Sequence, residues 1–279
     1  DLGFVRFQPS EIMKVIVLNS LSHSGSTVLS MVLSASQNAI SLGEVYQILR
    51  DEPSKWLDNN ESCSCSQSTE HCDFWGPVLR HIQTHQIHDI NERYQYALQY
   101  FATHYGDDSI LIDTSKGDKH LDIYRRIKVD YKLIYLLRDV RSFAFSQSKV
   151  AARQKRKGLK KIKGQVWFQF LKWYFGNKKR LKKFNNAAIK YFQMGYEDFC
   201  FNQNDRLKDL CHFLEIPFDP EYLSMTNATH HVLMGNPMRH QKDKQSAIKY
   251  DSSWLSDTRN ALPCAIFPFI IAYNKKHVY

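Results

Sequence analysis

KVIVLNSLSHSGSTVLSMVLS, residues 14–34, decides how the rest of the chain is read. An apolar, β-branched run at 15–18 suits a parallel strand buried on both faces, and Val28, Leu29, Met31, Val32 and Leu33 recur at helical spacing. The turn between them holds Ser24, Gly25, Ser26 and Thr27. The stretch therefore reads as strand, phosphate loop, helix, with the helix starting near Ser26. A helix start presents unpaired N–H groups and the positive end of the macrodipole. Gly25 lets the backbone curl close to a ligand, and the hydroxyls of Ser24, Ser26 and Thr27 add donors, so the turn suits a phosphate or sulfate.

The commonest loop of this shape, G-x-x-x-x-G-K-[ST], has a lysine before its hydroxyl residue; here no lysine precedes Ser26 and Thr27. A nucleoside triphosphate would lose its usual point charge, and no Walker-type aspartate is evident at the end of a following strand to hold magnesium. These features disfavour an ordinary ATPase or GTPase.

With 279 residues, 43% of them apolar and 13% aromatic, the chain can bury a full core. The expected fold is α/β, a P-loop-type parallel sheet flanked by helices on both faces. Residues 1–12 read as a leader or expression remnant, because Met13 stands directly before the first strand, and residues 13–279 as a single domain. No run reaches membrane-spanning length, no secretory apolar segment is present, and six unpaired-looking cysteines fit a reduced compartment, so a cytoplasmic location is expected. The net charge of +10 calls for an anionic partner. Much of that charge is local, in RQKRKGLKKIK (153–163) and KKRLKK (178–183), which read mainly as a solvated helix face and a loop.

Further strands bring single polar residues to the same crevice, because ligands of a parallel sheet collect at the carboxyl ends of its strands. A second strand at 39–42 ends in Gly43 and Glu44, and a carboxylate beside an anionic ligand is pushed towards the range of a general base. A third, at 109–112, delivers Asp113, Thr114, Ser115 and Lys116, whose ammonium could hold a leaving phosphate oxygen. Between them lie Cys63, Cys65 and Cys72, with His71 beside the last. Their C-x-C-x6-C spacing lacks the paired C-x-x-C units of a zinc signature, so a packed structural loop is expected and no metal is assigned. A fourth strand, 131–137, ends at Arg138, with Ser146 eight residues on in the next helix; a guanidinium fork and a hydroxyl at this separation can grip one phosphate.

The loop SHSGSTVLS, Arg138 with Ser146, the tyrosine of GYEDF (195–199) and the late GNPMR (235–239) together resemble the sulfotransferases that use 3′-phosphoadenosine-5′-phosphosulfate (PAPS). The resemblance implies that Ser24, Gly25, Ser26 and Thr27 hold the 5′-phosphosulfate, and that Arg138 and Ser146 hold the 3′-phosphate. It further implies that Tyr196 contacts adenine, and that Arg239, following Gly235 and Asn236, closes over the 3′-phosphate. Glu44 matches the glutamate base of some branches, and Lys116 a lysine after the third strand. One position departs from the pattern: many relatives have arginine or lysine in the first loop where this chain has His23, which could serve protonated or as a neutral donor. His120, shortly after the third strand, keeps a histidine base open as the alternative to Glu44.

The implied chemistry is in-line sulfuryl transfer from PAPS to a hydroxyl or amine, with adenosine 3′,5′-bisphosphate (PAP) as product and no metal. The expected acceptor is a small molecule, with a glycan or protein as the alternative. Two other classes stand beside it: a P-loop phosphoryl-transfer enzyme, and a non-catalytic binder of nucleic acid or another polyanion. The missing loop lysine argues against the first. A carboxylate in the crevice argues against the second, and no nucleic-acid partner is expected.

Overall fold

The computed structural model describes residues 14–58, 62–154, 162–235, 240 and 247–279. Most of the basic run at 153–163 lies outside the described residues, as do Asn236 and Arg239. Six strands are present: β1 (Lys14–Ser20), β2 (Ala39–Gly43), β3 (Ile110–Asp113), β4 (Tyr131–Leu137), β5 (Tyr191–Gly195) and β6 (Thr229–His230). They form one sheet in the order β5-β4-β1-β3-β2-β6, with parallel pairing, flanked by helices as the sequence predicts. By contacts the chain groups into two compact units, drawn from the ranges 1–18, 27–132 and 221–247, and from 19–26, 133–220 and 248–279.

In the first unit, Val15 pairs with Leu111 and Ile40 with Leu111 from the other side, so β3 sits between β1 and β2. All five residues of β2 and all four of β3 are buried, the polar Ser41 and Asp113 among them, which is why both read as mainly apolar runs. The short helices α2 (Val45–Arg50) and α3 (Ser54–Leu57) follow β2. The longer α4 (Trp75–Thr84) buries Trp75, Val78, Leu79 and Ile82, and α5 (Ile90–Tyr105) buries Tyr94, Ala97, Leu98 and Phe101, each a stripe at helical spacing. Asp89 starts α5 by accepting hydrogen bonds from the Asn91 and Glu92 N–H groups at 2.8 and 3.1 Å. The buried Arg93 on α5 donates to the Leu49 and Asp51 carbonyls, both at 2.9 Å, which satisfies the carboxyl end of α2. After β3, α6 (Lys119–Arg126) packs Tyr124 edge-on against Tyr94.

In the second unit, β4 and β5 pair from Leu133–Tyr191 to Leu137–Gly195. They are joined through α7 (Val140–Arg153) and the 21-residue α8 (Val166–Asn186). The sequence suggests an inward face on α8 of Val166, Trp167, Phe170, Leu171, Tyr174 and Phe175. The structure instead buries Val166, Phe170, Trp173, Asn177, Leu181 and Phe184, and leaves Trp167 and Phe175 44% and 60% exposed. The helix is apolar almost all round in its first half, so the sequence alone marks no unique face. Its rotation is fixed by tertiary partners: Trp173 Nε1 donates to the Arg138 carbonyl at 2.8 Å, and Asn177 Oδ1 accepts from the Tyr135 hydroxyl at 2.6 Å. The unit continues with α9 (Tyr196–Phe201), α10 (Gln203–Leu214), α11 (Ala261–Ile266) and α12 (Pro268–Val278). Among the described residues, no helix is long and apolar enough to cross a membrane.

Candidate functional site

The loop after β1 is held by the β4–α7 junction. Arg138, at the end of β4, donates from Nη1 to the His23 carbonyl at 2.9 Å, and Gln147 on α7 donates to the Ser22 carbonyl at 3.2 Å. Two loop residues take positive φ, His23 at 65° and Gly25 at 94°. That bend leads the chain directly into the helix α1 (Ser26–Ser34), with the Ser24 and Ser26 side chains buried and His23 exposed. The ring of Tyr196 lies against Gly25: a Cβ there would stand 2.2 Å from the ring carbon Cδ2. No side chain larger than hydrogen fits at that point, so the backbone approach anticipated for Gly25 is a contact with Tyr196.

Arg138 also lies 5.3 Å from the Tyr196 ring centroid, within cation–π range. Its Nε donates to the Ser142 hydroxyl at 2.7 Å, and among the described residues these bonds engage Nε and Nη1, leaving Nη2 for an anion. Ser146, one turn beyond Ser142 on α7, is half-buried. Ser142 was missed in the sequence, although its place four residues after a strand-end arginine is a usable signal.

Two buried carboxylates behind Arg138 were also missed. Glu197 has no exposure; burial pushes its carboxyl up to about 7, while its Oε2 accepts the Asp139 N–H at 2.8 Å and Oε1 lies 4.0 Å from Arg138 Nε. Asp139 caps α7 by accepting the Arg141 N–H at 2.8 Å. Burial alone would raise its pKa, but the two-point hold of the Arg141 side chain and a 2.8 Å bond from Asn274 on α12 keep it below the usual carboxylate range. The Tyr279 hydroxyl donates to Asp139 as well, at 3.1 Å. Glu197 stands beside a second acidic residue, Asp198, in MGYEDFC, and no local pattern marks it as the buried one of the two.

The first unit brings together the other two candidates. Glu44 follows β2, Lys116 follows β3, and Lys116 Nζ donates to Glu44 Oε1 at 2.5 Å. Their alignment comes from a latch between the two strand ends. The Thr114 N–H donates to the Gly43 carbonyl at 2.8 Å, and the Tyr46 N–H donates to the Ser115 hydroxyl at 2.8 Å. Asp113, fully buried and pushed up to about 6 by burial, accepts from the Ser115 N–H at 2.7 Å and the Tyr124 hydroxyl at 3.0 Å, fixing the turn that carries Lys116. His120 lies fully buried on α6. Gly235 is exposed, at the start of the segment whose Asn236 and Arg239 lie outside the described residues.

Solved structures similar to this one are sulfotransferase domains. The sulfotransferase domain of the Synechococcus PCC 7002 olefin synthase aligns with a TM-score of 0.54 at 19% identity, covering 93% of this chain and 96% of its own. The sulfotransferase domain from the curacin biosynthetic pathway aligns at 0.52 and 16% identity, covering 92% and 99%. Sulfotransferase STF9 from Mycobacterium avium aligns at 0.50 and 13% identity, covering 95% and 77%. At such identities the likeness concerns the fold alone. No curated protein matches the sequence. The model of the sulfotransferase family matches residues 16–220, so that the chain belongs to the sulfotransferase family.

Proposed function

We propose that this chain transfers a sulfuryl group from PAPS to a hydroxyl or amine of a small-molecule acceptor, without a metal in the reaction. The observation that carries the reading is the cradle built on Gly25, Tyr196 and Arg138. A helix N-terminus and a guanidinium with an unengaged nitrogen suit an anionic ligand, and the tyrosine ring packed against the loop at Gly25 suits a nucleobase.

When bound, PAPS supplies the sulfuryl group and leaves as PAP. The chain's part is to position and neutralise. The N–H groups and hydroxyls of Ser24, Gly25, Ser26 and Thr27 would hold the 5′-phosphosulfate, with the exposed His23 as a further donor. Arg138 and Ser146 would hold the 3′-phosphate, Gly235, Asn236 and Arg239 would close over it, and Tyr196 would meet the adenine. Glu44 would take the acceptor's proton, and Lys116 would carry charge developing on the bridging oxygen. The ion pair of Lys116 with Glu44 fixes the carboxylate's direction before an acceptor arrives.

Calorimetric titration with PAP, 5′-AMP and magnesium-free ATP, on the wild type and on Arg138→Ala, tests the donor. Binding that needs the 3′-phosphate and disappears in Arg138→Ala is the expected result; equal or absent binding of all three ligands overturns it. An acceptor screen with PAPS then compares the wild type with Glu44→Gln, for which turnover is expected to fall on the order of a hundredfold or more. Turnover only on polysaccharides would overturn the small-molecule assignment.

A further inference from the structure

Outside the residues given to sulfuryl transfer, three thiols and one imidazole converge in the first unit. The ligating atoms of Cys63, Cys65, Cys72 and His231 all lie within 4.8 Å of one another. Cys63, Cys72 and His231 are 0%, 1% and 7% exposed, Cys65 is half-buried, and every cysteine is a free thiol. His231, 159 residues beyond Cys72, supplies the fourth group that the C-x-C-x6-C spacing could not show.

The separations suit a tetrahedron. Four donors about 2.3 Å from a zinc ion stand about 3.8 Å apart, and slightly less where nitrogen replaces sulfur. Cys72 Sγ lies 3.6 Å from Cys63 Sγ and 3.3 Å from His231 Nδ1. We propose that Cys63, Cys65, Cys72 and His231 Nδ1 form a structural zinc(II) site.

The surroundings hold these ligands in place as the outer shell of a metal site does. His231 Nε2 lies 3.0 Å from the Tyr105 hydroxyl, a partner for its ring proton that leaves Nδ1 to the metal. The Trp75 N–H points at Cys72 Sγ from 3.4 Å, favouring the charged sulfur. His231 itself is clamped: its N–H donates to the Ser41 carbonyl at 2.7 Å, and its carbonyl accepts from Trp75 Nε1 at 2.6 Å. Cys63 and Cys65 sit in a tight turn in which the Cys63 N–H donates to the Gln67 carbonyl at 2.8 Å and the Ser66 N–H to the Cys63 carbonyl at 2.9 Å. An open groove of about 840 Å³, lined by Ser64, Cys65, His230, His231 and His240, gives the ion a path from solvent.

With all four positions taken by protein, the site has no place for a reacting water, and its role is to staple the cysteine loop and the start of α4 to the segment after β6. The thiols release their protons to solvent as zinc binds. A disulfide would use two of the four groups and leave the third thiol and the oriented imidazole without a purpose.

The test is zinc content of the full chain, purified under reducing conditions and dialysed against zinc chloride and then against zinc-free buffer. The expected result is about one zinc per chain, with X-ray absorption showing three sulfurs near 2.3 Å and one nitrogen near 2.0–2.1 Å, and chelation lowering the melting temperature. Cobalt(II) in its place should give the strong visible absorption of a tetrahedral thiolate complex. Cys72→Ser and His231→Ala should lose the zinc; because either could also unfold the loop, His231→Cys provides a second check, expected to keep one zinc bound by four sulfurs. Wild-type protein that retains no zinc, whether with a Cys63–Cys72 disulfide or with free thiols by mass spectrometry, overturns the proposal.

Discussion

The contact between Gly25 and Tyr196 sets the sharpest constraint at the scale of one residue. Gly25 and Gly117 have nearly the same backbone torsion, φ of 94° and 101°, so alanine is strained at both by a similar amount, of order 1 kcal/mol or somewhat more. Their surroundings differ. A Cβ at Gly117 meets nothing within 4 Å, whereas at Gly25 it meets the Tyr196 ring at 2.2 Å. Gly25→Ala is therefore expected to cost about 1–3 kcal/mol more than Gly117→Ala in denaturant unfolding, and to weaken PAP binding as the ring is displaced. Equal costs would mean that Tyr196 moves aside freely. Glu197 makes a second prediction, through pH. Its carboxyl rises from an ordinary 4.5 to about 7, so between those values the folded chain keeps a proton that the unfolded chain has lost. The stability it contributes is full below pH 4.5 and is lost as pH rises through 7. Glu197→Gln copies the protonated form and still accepts the Asp139 N–H, so the variant should match the wild type near pH 5 and exceed it at pH 8 by on the order of 2 kcal/mol. Unfolding curves at the two pH values check this, and parallel behaviour of the two proteins would show that Glu197 does not titrate there.

Among the elements, what the sequence made legible were strand ends and what it hid were partners. Glu44, Lys116 and Arg138 stand out as candidates because each follows an apolar run that ends at a helix start or turn, and ligands of a parallel sheet collect at the carboxyl ends of its strands. The ion pair between the first two follows from β2 and β3 being neighbours, a fact of strand order that no local pattern carries. The same limit hid Asp139 and Glu197, which meet across 58 residues, and His231, which meets Cys72 across 159. On α8 the difficulty was one of rotation. Its first half has apolar residues on every side, and the buried face includes Gln169 and Asn177, which a hydrophobic pattern discards. Asn177 is tolerated inside because the Tyr135 hydroxyl donates to it, a pairing that removes the cost of burying an unsatisfied amide oxygen. The two-residue β6 had no strand signal, being set by its register against Ile40 and Ser41.

For the whole molecule, the net charge of +10 raises the question of whether anions are bound by a site or by a field. A basic surface attracts any polyanion, and such binding collapses with salt: six to ten phosphate contacts lose about 10³–10⁵ in affinity between 50 and 200 mM. The cradle predicts different behaviour, because the Arg138 side chain is only 11% exposed and a charge so placed is screened much less than one in solvent. PAP binding is expected to weaken by less than about tenfold over that salt range. Replacing the exposed Lys178, Lys179 and Lys182 of α8 together by glutamine should slow association at low salt, through reduced steering, and leave the dissociation rate as it was. Arg138→Ala should abolish the binding at every salt concentration. Stopped-flow titrations across the salt series separate these contributions: a steep salt slope that the lysine substitutions flatten, with Arg138→Ala without effect, would place the anion on the basic surface instead of in the cradle.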